Sequence, residues 1–337
     1  MAQQENNIIL SVKVAASGVE KYIAKCLESF IDERYMDDIE VIVINNKCED
    51  KTLNIIEQYE KKYPNLFKVI RQEDRGYGST YNVGIELAKG KYFAVLDGDD
   101  WYDKDALYKL LRKLKQHNSD LIISDAMGVY NDERKKYCYE GMEENVIYSI
   151  TDILEKKLFF SFHMFVIKTK ILKENCIVVD EACIVPDVQY DMYILPLIHS
   201  IEFMRTPLYY YRTGGANQAT GIAKESARAM NICSTIVDLI KWKNNNSMEE
   251  DVEKYLELKL AKYVNIGVSK LLLRKVCRES YKDIICFIEN IKGMDLSIFC
   301  NTNILVKSLY RSVWGRCIYP FLAYAYKQYC KNKKFNW

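Results

Sequence analysis

Short apolar runs rich in β-branched residues alternate along the first half of the chain with longer stretches whose apolar positions recur every three or four residues. Residues 8–15 read as a strand, and residues 19–31 as a helix with Tyr22, Ile23, Cys26, Leu27 and Phe30 on one face. Residues 39–44 form a second buried strand ending in a polar turn, and residues 52–63 a helix stopped by Pro64. Residues 67–70 are a third strand. Gly76-Tyr77-Gly78 then opens a helix over 79–88 that Gly90 ends. Residues 92–96 are a fourth strand, residues 103–116 a helix and residues 121–124 a fifth strand. Consecutive strand–helix units predict an α/β fold with a mostly parallel sheet and helices on both faces. In such sheets ligands sit beyond the carboxyl ends of the strands. Four polar segments fall there: residues 15–18, 45–50, 71–79 and 97–100.

Composition narrows the class without naming it. The 337 residues are 49% hydrophobic with a mean hydropathy of −0.22, which fits a folded globular protein with a sizeable core. A net charge of +2 gives no whole-chain case for nucleic acid as a partner. The 11 cysteines contain no CxxC pair, so neither a zinc site nor a disulfide framework is expected, and reduced thiols in a cytosol are. No window offers the run of about 18 uncharged residues that crosses a bilayer, and the apolar stretch after Asn7 is too short for a signal peptide.

Asp97-Gly98-Asp99-Asp100, after the apolar run 92–96, places three carboxylates in four residues. Their repulsion is costly unless a cation neutralises them. Asp also caps helices, and a helix follows from Asp103. The other polar strand ends beside this cluster favour a ligand role over capping alone.

With these segments assembled, the chain resembles a family 2 glycosyltransferase with the GT-A nucleotide-sugar fold, over roughly residues 8–215. The resemblance is carried by residues 11–22, by Glu40-Val41-Ile42-Val43-Ile44-Asn45-Asn46, by Gly76-Tyr77-Gly78-Ser79-Thr80 and by residues 90–101. It implies that Asp97 and Asp99 form a DxD-type motif holding Mn2+ or Mg2+ against the diphosphate of a nucleotide-sugar donor, with Gly98 between them. It implies donor contacts at Ala15, Ser17 and Glu20 in the first strand-end loop, at Asn45 and Asn46, and at Gly76, Gly78 and Ser79, with Asn82 behind. The sequence departs from the family where Pro-x-Tyr-Asn is usual and Ala15-Ala16-Ser17-Gly18 stands, and where two Asp are usual and Asn45-Asn46 stand.

The resemblance also implies a catalytic base well past the metal motif. Asp187, in Val185-Pro186-Asp187, is the first choice and Asp191 the second; either also reads as a helix N-cap. Residues 201–212 resemble the family's Pro-Leu-Tyr-Tyr-Tyr-Arg strand. Asp100, Trp101, His163 and Arg212 are candidates for acceptor or phosphate contacts, against packing or solvated roles. The stretch Arg212-Thr213-Gly214-Gly215-Ala216-Asn217-Gln218 reads either as a lid or as a surface loop.

From about residue 220 helical periodicity takes over, at 223–242, 252–273, 281–291 and 303–329, the last expected to break at Gly315 and Pro320. The expected organisation is a catalytic domain over 1–219, with a nucleotide-sugar half to about 125 and an acceptor half beyond it, and a helical extension over 220–337. The end is basic and aromatic: Tyr310, Arg311, Trp314, Arg316, Tyr319, Phe321, Tyr326, Lys327, Lys331, Lys333, Lys334 and Trp337. It reads as a peripheral contact with the inner face of a membrane, a homodimer contact or a solvated tail. The implied activity is inverting, metal-dependent transfer from a nucleotide sugar, UDP-linked by expectation, to a hydroxyl of a lipid-linked or protein-linked glycan in the cytoplasm. Binding of a nucleotide sugar without turnover is the alternative.

Overall fold

The computed structural model describes residues 8–47, 49–213, 222–311 and 315–332, and divides the chain into two compact units, Met1–Arg212 and Thr213–Trp337. The first is built on β1 (Leu10–Ala15), β2 (Ile39–Asn46), β3 (Phe67–Gln72), β4 (Tyr92–Asp97), β5 (Trp101–Tyr102), β6 (Leu121–Tyr130), β7 (Glu133–Tyr137), β8 (Phe165–Lys168) and β9 (Ile201–Arg212). The sheet order is β3-β2-β1-β4-β8-β6-β9-β5, with β7 on β6. β3, β2, β1 and β4 are mutually parallel, and β6 and β9 share their direction because β8 is antiparallel to both β4 and β6. Every residue of β2 is buried, as expected of a strand covered on both faces.

The helices of this unit are α1 (Ile23–Glu28), α2 (Thr52–Lys62), α3 (Tyr77–Leu87), α4 (Lys104–Gln116), α5 (Ile150–Glu155), α6 (Thr169–Glu174) and α7 (Pro186–Ile194). α4 buries Ala106, Leu107, Leu110, Leu111 and Leu114 along one face, and Asp103 caps it by accepting from the Ala106 amide at 2.9 Å. α1 is shorter than its apolar spacing predicts. The Val19 and Glu20 amides donate to Thr52 and Asp50 in the β2–α2 connection, so the chain enters the helix only at Ile23. β8, four residues long, gives no readable alternation, yet it separates β4 from β6. The β6–β9 register shifts at Asp125, opposite Pro207, which has no amide to give the ladder.

The second unit contains α8 (Ile222–Asn244), α9 (Glu250–Leu271), α10 (Arg278–Met294), α11 (Leu296–Cys300), α12 (Ile304–Arg311) and α13 (Gly315–Asn332). The stretch forms two helices, as expected, with the second beginning at Gly315, but Pro320 is not a break: it lies inside α13. Its fixed φ is itself helical, and near the helix start only one backbone bond is forfeited. No helix among the described residues is long and apolar enough to cross a membrane. Gly214 to Gln218 of the proposed lid, and Trp314, Lys333, Lys334 and Trp337 of the tail, lie outside the described residues.

Removing the α4 cap with Asp103→Ala should cost about 1 kcal/mol, read as a lower urea midpoint at unchanged m-value.

Candidate active site

The parallel strands deliver their carboxyl ends to one edge of the sheet, and the acidic turn after β4 lies on that edge. Asp97 pairs in register with Ala15 of β1, and the Gly98 amide donates to the Ala15 carbonyl at 2.9 Å. A Cβ on Gly98 would stand 2.7 Å from that oxygen, so the turn closes this tightly only with glycine. One Asp97 oxygen accepts from the Tyr77 hydroxyl, and the other lies 3.9 Å from His163 Nε2. Burial, then the neighbouring Asp97 charge, pushes the Asp99 carboxyl up to about 6, with Arg212 pulling the other way.

Asp100 faces inward. It is 1% exposed, accepts from the Tyr209 hydroxyl at 2.6 Å and the Arg212 amide at 2.7 Å, and so ties the turn to β9. Arg212 Nε donates to the Asp99 carbonyl at 2.9 Å, while its guanidinium lies over the Tyr22 and Trp101 rings. Trp101 also stacks on Tyr210 and takes the Lys25 ammonium 3.4 Å above its ring. His163 is bonded through Nδ1 to Ser161 Oγ at 3.0 Å and packed against Tyr209 and Tyr211. Burial pushes its imidazole down to about 4 against the pull of Asp97; at neutral pH it is uncharged.

Asp187 occupies the first turn of α7, behind Pro186 at the helix start. Burial, then the charges of Asp191 and Asp97, push its carboxyl up to about 7. Asp191, one turn further along, is 2% exposed. The Asp97 charge thus acts on both buried carboxyls, Asp99 and Asp187. Asp97 also raises both Tyr77 and Tyr81, well above the ordinary phenol range once burial is counted.

The remaining predicted positions knit the loops together. Asn45 Nδ2 donates to the Ala16 carbonyl at 2.8 Å, and Asn46 Nδ2 to the Gly76 carbonyl at 3.0 Å. Gln72 bridges Asn46 Oδ1 and Ser79 Oγ, and Ser79 donates to the Gly76 carbonyl. Glu20 accepts from the Lys51 amide at 3.0 Å. Ser17 is exposed, and Ala15 is partly so. The close approach that Gly76 and Gly78 permit is to protein backbone: a Cβ on either would overlap the carbonyl oxygen of Glu181 or Asp180. Asn82 holds the same segment through both Val179 backbone groups. Lys13, Tyr77 and Tyr209 belong to the site but not to the sequence reading. The available signal was a lysine, the one charged residue, inside a buried strand.

Among the described residues no three of His, Cys, Asp and Glu form a ready metal cage. Asp97 and Asp99 nevertheless fit a hard divalent cation that takes one or two carboxylates and completes its shell with ligand phosphates and water. Burial and the Asp97 charge together disfavour the charged form of Asp99, a cost that a bound cation would lower.

Residues 11–175 match the family model described as glycosyl transferase family 2. That match, just under half of the chain, makes it similar to family 2 glycosyltransferases. EpsH of Bacillus subtilis is 30% identical over 219 residues, 60% of this chain and 60% of EpsH. A poly(ribitol-phosphate) beta-glucosyltransferase of Bacillus spizizenii is 28% identical over 169 residues, 49% of this chain and 26% of that protein. The chain therefore spans less than two thirds of either relative. Among solved structures, S. aureus TarS 1–349 in complex with UDP-GlcNAc superposes with a TM-score of 0.70 at 21% identity, over 95% of this chain and 92% of that one. A Pyrobaculum calidifontis mannosyltransferase, PcManGT, solved with GDP-Man and Mn2+, gives 0.51 at 11% identity, over 96% of this chain and 88% of that one. These likenesses establish the GT-A-type fold.

Gly78→Ala should destabilise the first unit by about 2–3 kcal/mol through the overlap with Asp180. Urea unfolding measures it, and a loss below about 0.5 kcal/mol would show that the 180–181 segment yields freely.

Proposed function

We propose that this protein transfers a sugar from a nucleotide-sugar donor, UDP-linked, to a hydroxyl of a glycan acceptor, with inversion at the anomeric carbon. One observation carries the reading: burial raises the carboxyls of Asp99 and Asp187, and the charge of Asp97 at the end of β4 acts on both. The family match and the TarS complex with UDP-GlcNAc support the donor class.

Asp97 and Asp99 would hold Mn2+ or Mg2+, whose charge offsets that of the departing nucleoside diphosphate. Tyr77 orients Asp97 by donating to one of its oxygens, and Asp100 fixes the turn from below. Asp187 takes the proton of the acceptor hydroxyl as that oxygen attacks the anomeric carbon; the glycosidic bond to the diphosphate breaks on the opposite face. A single displacement of this kind inverts the centre. Asp187 is better suited to the role than Asp191, which is more deeply buried. A carboxyl near 7 is a stronger base than an ordinary one and still ionised in useful amount at neutral pH.

The carbohydrate-polymer relatives support a glycan acceptor, lipid-linked in this reading, and the catalytic domain is the first unit. Phe321, Tyr324 and Tyr329 are exposed on α13, which supports a peripheral contact of the tail with a membrane's inner face. A nucleotide-sugar panel with Mn2+, scored by binding and by nucleoside diphosphate release, tests the function. Donor binding with no turnover under any condition would replace the transferase reading with a binding module.

Two substitutions separate the roles. Asp99→Asn should abolish metal-dependent donor binding. Asp187→Asn should keep donor affinity within about twofold and lower kcat by roughly 10²–10⁴-fold. In the wild-type protein kcat/KM should fall about tenfold per pH unit below about 7, because the base form is lost as pH drops through the raised value. A flat profile between pH 5 and 8 would remove Asp187 from the chemistry.

A further inference from the structure

A cationic and aromatic patch borders the acidic turn where β5 meets β9. The Lys25 ammonium lies 3.4 Å from the Trp101 ring centroid. The Arg212 guanidinium lies 5.0 Å from the same centroid and 4.5 Å from that of Tyr22. Two cations therefore share one indole. Trp101 pairs with Tyr210 across the β5–β9 ladder, and their rings stand 5.6 Å apart. Arg212, two residues past Tyr210, is in register with Val129 of β6, and Val129 with Arg134 of β7. Residues that face each other across a ladder share a side of the sheet, so Arg134 is on the Arg212 side, two strands or about 10 Å away.

The patch keeps its charge. Lys25 and Arg134 are exposed, and neither side chain has a hydrogen bond or ion pair among the described residues. Lys136, on the same side of β7, shows the contrast, because Asp125 pairs with it at 2.8 Å. An acid partner cancels a charge, whereas an aromatic face fixes a cation and leaves it positive. Partial burial, then the charges of Arg212 and Arg134, lower the Lys25 ammonium below its ordinary value. A bound anion would relieve that repulsion. The patch also reaches the candidate active site directly: Arg212 Nε donates to the Asp99 carbonyl at 2.9 Å, and Trp101 stands two residues past Asp99.

We infer that Lys25, Arg134 and Arg212 form an acceptor subsite for a polyanionic glycan, one that repeats a phosphodiester or carboxylate group along its chain. The inference rests on the transfer reaction proposed above and gives its acceptor a chemical class. The hydroxyl that receives the sugar must reach the donor beside Asp97 and Asp99, so the units flanking it pass over the rim of that turn. Cations spread from α1 across β9 to β7 match an extended chain with charge at intervals rather than one compact ion. The rings of Tyr22 and Trp101 hold two of these cations in place before the chain arrives, which lowers the ordering cost of binding.

Calorimetric titration of the full chain with a ribitol-phosphate oligomer, an oligogalacturonate and neutral maltoheptaose tests it. The two polyanions separate phosphodiester from carboxylate. At least one should bind about tenfold or more tighter than maltoheptaose at low salt, and its affinity should fall as salt rises. Lys25→Gln with Arg134→Gln should lose about tenfold of that affinity, and Lys25→Glu with Arg134→Gln should lose more. Each single substitution should lose part of it. Tm and the affinity for UDP with Mn2+ should stay unchanged, because both side chains are exposed. Polyanions that bind no tighter than maltoheptaose overturn the proposal, as does polyanion affinity that survives the substitutions. A loss of UDP affinity instead would assign the patch to the donor and overturn it too. Phosphatidylglycerol vesicles are the membrane control: binding to them through Lys25 and Arg134, with no polyanion binding, would replace the glycan by a lipid surface. The titrations need no turnover. Polyanion binding by a protein that transfers no sugar would keep the subsite and refute the transferase reading; transfer to a neutral acceptor, with no polyanion binding, would do the reverse.

Discussion

The placing of the Asp97 charge beside the buried carboxyls of Asp99 and Asp187 is the constraint on which the candidate site depends. Folding removes much of the water around Asp99 and Asp187, which raises both above their ordinary range. The fold holds the turn after β4 with hydrogen bonds from phenols and a backbone amide. Tyr77 donates to Asp97, Tyr209 to Asp100, and the Arg212 amide to Asp100 as well. Asp100 thereby anchors the turn that carries its two acidic neighbours. The turn after β4 is therefore tied to β9, more than one hundred residues away in sequence, and through β9 to the rest of the sheet.

The same economy explains the amides at the second strand end. Asn45 and Asn46 each donate to a backbone carbonyl, of Ala16 and of Gly76. A carboxylate has no proton for those contacts and would face each oxygen with like charge. With Gln72 and Ser79 completing the net, the amide pair joins the loops after β1, β2 and β3 into one rim. The departure from the family's usual acids therefore has a local physical consequence: cohesion between loops.

Much of this was readable from the chain. The alternation of buried strands and amphipathic helices gave the α/β class, and the apolar run into Asp97 placed the acidic turn at a strand's carboxyl end. Where reading failed, the cause was distance in sequence or brevity. β8 is too short for a pattern, and its place between β4 and β6 is decided by tertiary pairing. The partners of Asp100 lie on β9, so spacing could not show that it points inward. Gly76 and Gly78 announce a close approach, but only the fold reveals that the approaching group is the Asp180–Glu181 backbone. Lys13 was visible as a charge in a buried strand, yet the rings it lies over belong to two tyrosines, Tyr77 and Tyr81, more than sixty residues on. Pro320 shows the opposite error, a local rule overruled by a helix that accommodates it.

The central claim is that Asp97 and Asp99 accept a divalent cation between themselves and a donor diphosphate. Manganese anomalous diffraction from crystals soaked with UDP and Mn2+ tests it most directly. The account predicts one manganese peak in coordination contact with Asp97 and Asp99 and with the pyrophosphate oxygens. A nucleotide bound with its metal elsewhere, both carboxylates facing water, would contradict it.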